Sequence, residues 1–431
     1  MATIGGVNST KTGLVFVLDA GNIKSFRGEP TTNLSNNFRD FTGTTYSPGG
    51  EWPGTTVTKT YFSELSTPIG PGATLMNEST SSGYQGLSRY GGSNESGAHS
   101  LSAFIYPLTS NITEFTIGLL ADSSNMIYFN LVTGAITYGA GISNRNSVLE
   151  SVPNWPGWYR IGANFEGRVG GWVGSMGYSM YTTYSGSGVL KSMYITGVQY
   201  ELKSYPTPFV SGTRGTTVAT GGGWGDMSGN SNHGELVNNP IFNNRNGGNI
   251  QFDGITSSAH CAYTKTDLDG NVPFSVEGVF LRTGSFSNGG PWGIGGNSSL
   301  GGINCWNWNQ SNHIAVDLWG TTTYTTGQLY PLNQPAHIIW VYRGTSFVDT
   351  NLSIFINGVE YTGASLTNLR GTSATPNLNT STQGISLGRI NVNQNQYFAP
   401  IAIYNFKVYN RALSSGEALQ NYNAMRGRFG I

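Results

Sequence analysis

The chain has 431 residues and no net charge, with 22 basic and 22 acidic side chains. Charged residues make up only 10%, so there is no basic stripe to meet phosphates, and nucleic acid is not an expected partner. No stretch reaches the roughly 18 consecutive apolar residues of a membrane span. The 62 glycines and 12% aromatics suit turn-rich β-sandwiches and argue against disorder.

The length predicts two or three domains. The opening MATIGGVNSTKTG lacks an apolar leader region, which predicts assembly in a cytoplasm rather than secretion. LVFVLDAGNIKSF (14–26) reads as one strand and a turn, after which the polar RGEPTTNLSNNF breaks the pattern. A single strand cannot bury its apolar face, so a distant partner is required. YITGVQYEL (194–202) is a further strand, and SGTRGTTVATGGGWGDMSGN (211–230) has no apolar periodicity and marks a boundary. HIIWVYRG (337–344) is apolar on both faces, as a central sandwich strand would be. LSIFINGVEY (352–361) is a hairpin whose Asn357-Gly358 supplies the two left-handed residues of a type I′ turn. The last element is a helix: Ser414 with Glu417 forms a capping box, Ala418, Tyr422 and Met425 share a face, and Gly427 is placed to close it. Two cysteines, Cys261 and Cys305, are too few for a disulfide framework and read as buried thiols rather than a bridge.

Six stretches of the second half carry a family resemblance: GGNIQFDG (247–254), FSVEGVF (274–280), HIIWVYRG, LSIFINGVEY, ISLGRI (385–390) and IAIYNFKVYNRALSSGEALQNYNAMRGRFG (401–430). They resemble the laminin-G-like, concanavalin A-like jelly rolls of tailed-bacteriophage virion proteins. In that family the first strand resembles GLVFVLDAGNIKSF and is soon followed by a segment like WGDMSGNSNHGELVNNP, which here begins only at Trp224. The resemblance therefore implies an inserted domain. SLSAFIYP (100–107), IYFNLVTGAITYG (127–139), WYRIGANF (158–165) and MYITGVQYELKSYPTPFVSGT (193–213) resemble a phage carbohydrate-binding-like jelly roll. The expected fold is all-β: a discontinuous jelly roll of residues 1–27 plus 214–431, an inserted jelly roll of 28–213, and a short C-terminal helix. Trp158 and Tyr159 fall inside the WYR element and are assigned to packing.

Catalytic and metal motifs are missing from the linear sequence. No strand carries the alternating carboxylates E-x-D-x-x-E of the glucanases that share the concanavalin-like fold. Retaining glycoside hydrolysis needs two carboxyls about 5–5.5 Å apart. Glu277, Asp317, Asp349 and Glu360 are scattered, and the five histidines show no close metal spacing. The expectation is a chain that is not an enzyme, with no catalytic or metal residues and no cofactor. Calcium is the one ion that relatives suggest. The FDGITSSAHC stretch keeps Asp253 but lacks a second acid, so Asp253 is read as a turn residue.

Glycan contact is the chemistry that the residue types favour, since an aromatic ring packs on a sugar's CH face while amides and carboxylates bond its hydroxyls. PWGIGGNSSLGGINCWNWNQSNHIAVDLWG (291–320) holds Trp292, Trp306, Trp308 and Trp319, with Asn304, Asn307, Asn309 and Gln310 between them. GWVGSMGYSMYTTYSG offers a second group with Trp172 and Tyr181. Against this stands burial, the commoner fate of tryptophan. The candidate glycan residues are Trp292, Trp306, Trp308, Asn309, Trp319, Trp172 and Tyr181. The resemblance implies a structural or decoration protein on the virion surface: a head fibre, capsid decoration or tail component. Its partners would be other virion proteins, copies of itself and host-surface glycans. A dedicated adhesin or a bacterial surface lectin is the alternative.

Overall fold

Asn357 and Gly358 take φ of 48° and 83°, and the strands Leu352–Ile356 and Val359–Thr362 pair back to back across them, as the type I′ sequence predicts. This hairpin ends one of two eight-stranded sheets in a computed structural model of the chain. The structure describes residues 9–28, 30–33, 57–78, 85–91, 98–110, 112–119, 126–140, 146–166, 176–182, 192–203, 205–243, 247–296, 298–306, 311–371, 373–390 and 396–431. The side chains of some strand residues among these are likewise outside the description. The regular structure of the described residues is mostly strand, with the C-terminal helix, a short turn of helix at Thr380–Gln383 and 3-10 turns at Val218–Thr220, Asp349–Asn351 and Gly363–Ser365 as exceptions. They form two compact units, residues 1–30 with 214–431 and residues 31–213.

In the first unit, one sheet runs in the order Ile241–Asn243, Asn249–Asp253, Pro400–Tyr409, Phe274–Arg282, Pro335–Tyr342, Leu352–Ile356 and Val359–Thr362. The N-terminal strand Leu14–Asp19 pairs antiparallel with the second half of Pro400–Tyr409, while Asn249–Asp253 pairs with the first half. The ladder partner of the first strand is thus the last strand of the chain. The 224–232 segment serves the first strand differently. Asp226 accepts from the Val17 amide at 2.9 Å, Met227 N donates to Val17 O, and Ser228, Asn230 and Asn232 side chains donate to Val15 O. Backbone groups that a further strand would satisfy are met by a polar loop instead.

The facing sheet has the order Gly234–Val237, Ser258–Cys261, Ile385–Leu387, Trp292–Gly295, Gly302–Asn304, His313–Leu318, Thr322–Leu329 and Thr367–Arg370. Ile303, Ile314, Val316 and Leu318 point into the shared core, where they meet Phe16, Val276, Ile338, Trp340 and Phe406. Period-two alternation then sends Asn304, Asp317 and Trp319 to the opposite, outer face. Both cysteines are free and fully buried, as read from their number, and burial pushes both thiols up.

The helix Ser415–Phe429 begins at the Ser414–Glu417 capping box, as expected. Its end differs from expectation. Gly427 lies inside the helix, and Gly430 at φ 68° caps it, because the apolar contact of Phe429 on Tyr404 extends the packed face one turn further. Ala418, Asn421, Met425 and Phe429 are buried against the first sheet. Under the helix lies a closed charge cluster. Glu277 accepts from Lys407 Nζ at 2.7 Å, Tyr409 OH at 2.8 Å and Asn421 Nδ2 at 2.7 Å, with His337 Nε2 at 3.2 Å. Burial alone would raise the Glu277 pKa, but Lys407 and His337 hold it well below the ordinary carboxylate range.

The second unit is a sandwich of a six-stranded sheet and a five-stranded sheet. The first runs Val148–Ser151, Tyr159–Glu166, Ala98–Pro107, Ser192–Glu201, Ala73–Glu78 and Val57–Phe62. The second runs Gln85–Gly91, Met176–Thr182, Glu114–Leu119, Met126–Asn130 and Ile136–Tyr138. Leu101, Ala103, Ile105, Ile161 and Ile195 of one sheet bury against Phe115, Ile117, Ile127 and Phe129 of the other. The unit's two ends meet, since Asn33 N donates to Gly212 O at 2.8 Å.

Candidate functional site

The tryptophan-rich segment divides at its first member. Trp292 follows the core parity of its strand, is fully buried, and meets Trp340 edge-on at 5.2 Å. A ring enclosed on all sides offers no face to a sugar, so the expectation for Trp292 is corrected: it is core. Trp308, Asn309 and Trp172 lie outside the described residues. Tyr181 falls in the strand Met176–Thr182, paired with Gly86 and Thr116, and its side chain lies outside the description too.

Trp306 and Trp319 come together. Their rings stack at 5.1 Å with an interplanar angle of 24°. The register explains how. Asn304 and Asp317 are direct partners on adjacent antiparallel strands. Trp306 lies two residues past Asn304, beyond the end of one strand, and Trp319 two past Asp317, beyond the end of the other, so the two leave on opposite sides of the pair. Rings that stack from those positions close over Asn304 and Asp317. Tyr397 completes the aromatic roof, 5.3 Å from Trp306 and 5.9 Å from Trp319. It holds a left-handed backbone at φ 64°. Trp306 is 6% exposed, whereas Trp319 and Tyr397 are half-buried.

The floor beneath the rings is polar and buried. Asp317 Oδ1 accepts from Thr323 Oγ1 at 2.5 Å and Arg370 Nη2 at 2.9 Å. The Arg370 guanidinium also lies 5.2 Å over the Trp306 ring. Asp317 Oδ2 and Asn304 Oδ1 are both buried and accept nothing. Burial pushes the Asp317 carboxyl up to about 6, with Thr323 and Arg370 pulling the other way. The arrangement thus sets the half-buried Trp319 and Tyr397 rings above two buried acceptors that have no donor.

Part of this site was visible in the sequence. Asn304, Trp306 and Trp319 are named by composition, whereas Asp317 reads in the sequence only as one of several scattered carboxylates, and strand pairing is what brings it opposite Asn304. Arg370 and Tyr397 arrive from distant segments with no local signal. At Asp253 the carboxylate accepts from Ile255 N, Thr256 N, Ser257 N and Thr256 Oγ1. These are the contacts of a turn residue, and they lower its pKa despite burial, which alone would raise it.

Residues 253–418 match the family model described as the Concanavalin A-like lectin/glucanases superfamily. The matched, laminin-G-like segment contains the whole stacked site, from Asn304 to Tyr397. Comparison with curated proteins finds no match. Among solved structures, domain 4 of a GH43 extracellular arabinanase from Geobacillus stearothermophilus, in complex with arabinotriose, is 15% identical. That match covers 46% of this chain and 91% of that one at a TM-score of 0.31. Trypanosoma rangeli sialidase in complex with sialic acid is 11% identical over 83% of this chain and 62% of its own, with a TM-score of 0.33. The botulinum neurotoxin type G receptor binding domain is 16% identical over 46% of this chain and 48% of that one, at 0.28. This chain therefore spans less than two thirds of the sialidase it matches.

The expectation that the chain is not an enzyme is corrected by these comparisons, whose matches include carbohydrate-active enzymes. That expectation rested on missing linear motifs. A site assembled from side chains on separate strands, as Asp317 and Arg370 are here, leaves no such motif to find.

Proposed function

We propose that the chain binds carbohydrate at the outer face of its laminin-G-like domain and does so as a surface component of a tailed-phage virion. One observation carries the glycan reading: the stacked Trp306–Trp319 pair, flanked by Tyr397, forms a partly exposed aromatic patch on the outer face, held from below by the Asp317–Arg370 pair. A sugar would pack its CH face on the half-buried Trp319 and Tyr397 rings. The virion reading is supported by the resemblance of residues 401–430 and of the interrupted first strand. Its partners there are neighbouring virion proteins and further copies of the same chain.

A glycan array with the full chain tests the first part, run beside Trp319→Ala and Asp317→Asn. Trp319 packs at the edge of the core on Trp306, so circular dichroism checks that the truncated chain stays folded. Saturable binding lost by Trp319→Ala supports the reading. A folded wild type that binds nothing on the array, or a mutant that binds equally well, overturns it. Antibody labelling of particles in electron micrographs tests the second part; soluble chain with unlabelled particles would overturn the virion assignment.

A further inference from the structure

The cluster under the C-terminal helix brings together groups that can react with one another. Lys407 is the direct register partner of Glu277, and Tyr409 lies two residues along on the same face of its strand. Asn421 comes down on them from the helix. None of the four is more than 2% exposed. Lys407 carries a primary amine. Asn421 carries an acyl carbon whose amide nitrogen can leave.

One carboxylate holds both. Glu277 Oε1 accepts from Lys407 Nζ at 2.7 Å, and Glu277 Oε2 accepts from Asn421 Nδ2 at 2.7 Å. Tyr409 OH donates to the same Oε2 at 2.8 Å and accepts from Asn421 Nδ2 at 3.1 Å. The other end of the amide is fixed as well. Asn421 Oδ1 accepts from the Thr10 backbone N–H at 2.8 Å. Thr10 is latched in turn: its hydroxyl donates to Glu417 and accepts from Arg411, and Arg411 Nε donates to the Thr12 carbonyl at 2.8 Å. The amide therefore has its nitrogen on a proton-carrying acid and its oxygen on a rigid backbone donor. Those are the two contacts that an acyl transfer uses.

Burial serves the same chemistry. The carboxylate and ammonium are the resting forms, and the Nζ–Oε1 hydrogen bond is the path by which the amine loses its proton. A neutral amine and a neutral acid cost little in a site closed to water. Water, the competing nucleophile, is kept out by the helix above.

We propose that Lys407 and Asn421 join in an intramolecular isopeptide bond in the folded chain, with Glu277 carrying the protons and the Thr10 N–H facing the developing oxyanion. Glu277 Oε1 takes a proton from Lys407, whose amine then turns from that oxygen to Asn421 Cγ. As the Nζ–Cγ bond forms, the carbonyl electron pair moves to Oδ1, opposite the Thr10 N–H. The Cγ–Nδ2 bond then breaks, and Glu277 supplies the proton to the departing nitrogen. Over the whole step Lys407 Nζ gives up two of its three protons, Nδ2 leaves as ammonium, and Glu277 ends as the carboxylate it began as. Nothing is oxidised or reduced. The bond fastens the middle of the helix to Pro400–Tyr409, the strand that also pairs with Leu14–Asp19 and Asn249–Asp253. It lies on the other sheet from the Trp319 patch and does not rest on the glycan reading.

The test is the intact mass of the denatured full chain. It is expected to fall short of the sequence mass by one ammonia. A tryptic digest is expected to yield residues 390–411 joined to residues 412–426 as a branched peptide, with Lys407 uncut. Glu277→Gln keeps the side-chain volume but cannot take the proton, and Asn421→Ala has no acyl carbon, so both are expected at full mass, with circular dichroism checking their fold. The wild-type measurement needs no variant to fold. A folded wild type that keeps its full mass after extended incubation at neutral pH overturns the proposal. So does an ammonia loss that persists in Asn421→Ala or maps elsewhere, such as to a succinimide at Asn357-Gly358. A folded Glu277→Gln chain that still forms the branched peptide overturns the role given to Glu277.

Discussion

Glu277 and Asp317 are both fully buried carboxylates on outer faces of the laminin-G-like unit, one on each sheet, and they are solved in opposite ways. Glu277 is surrounded by Lys407, His337, Tyr409 and Asn421, so every oxygen is met and the charge is favoured. Asp317 has Arg370 and Thr323 on one oxygen and nothing on the other, and its carboxyl is pushed up to about 6. Burial is equal; the number and sign of the donors decide. A satisfied cluster of this kind holds a helix to a sheet. An unsatisfied one leaves a buried oxygen unmet, and the protonated form gains.

The largest expected effect breaks the closed cluster. Glu277→Ala leaves Lys407 buried without its counter-charge and is expected to cost about 3–5 kcal/mol, read as a lower denaturation midpoint. Asp317→Asn is expected to be mild or stabilising at neutral pH, because it removes a charge that burial disfavours.

The second way to sharpen the contrast is pH. Asp317 has a folded pKa above its ordinary 3.8, so the folded state holds the proton more tightly. Its contribution is present below about 4 and is lost as pH rises through about 6, a change of at most roughly 3 kcal/mol. Glu277 has its folded pKa depressed below the ordinary 4.5, so its contribution is present above that value and is lost as pH falls through the folded one. Melting curves between pH 3 and 7 should show a shoulder near about pH 4–6 that disappears in Asp317→Asn. A wild-type profile unchanged by that substitution would rule out the raised carboxyl.

A smaller effect concerns the cap that anchors the helix over Glu277. Ser414→Ala removes the bond to Glu417 N and should cost about 1 kcal/mol, seen as a shift in the midpoint. Finally, Cys261 and Cys305 should resist alkylation in the folded chain and react only after unfolding, as mass spectrometry would show.

The elements that local chemistry dictates were readable from the sequence: the Asn357-Gly358 hairpin, the Ser414–Glu417 cap and the buried run around Trp340. The site was readable only in part. Composition cannot separate Trp292 from Trp319, since both are tryptophans beside small residues. Strand parity separates them, and parity depends on which neighbours reach the core. Tyr397 lies 78 residues beyond Trp319 and Arg370 lies 64 beyond Trp306, so only the folded chain brings them to those rings.

The pairing of Leu14–Asp19 with Pro400–Tyr409 also sets a schedule. The ribosome releases the first strand early and its partner roughly 380 residues later, a delay of about 20–80 s at ordinary synthesis rates. For that interval Phe16 and Leu18 have no ladder to join, while every residue of the 31–213 unit has already been made. Nascent chains should therefore acquire protease resistance in that middle stretch first. The N-terminal strand should become protected only when the final helix is made.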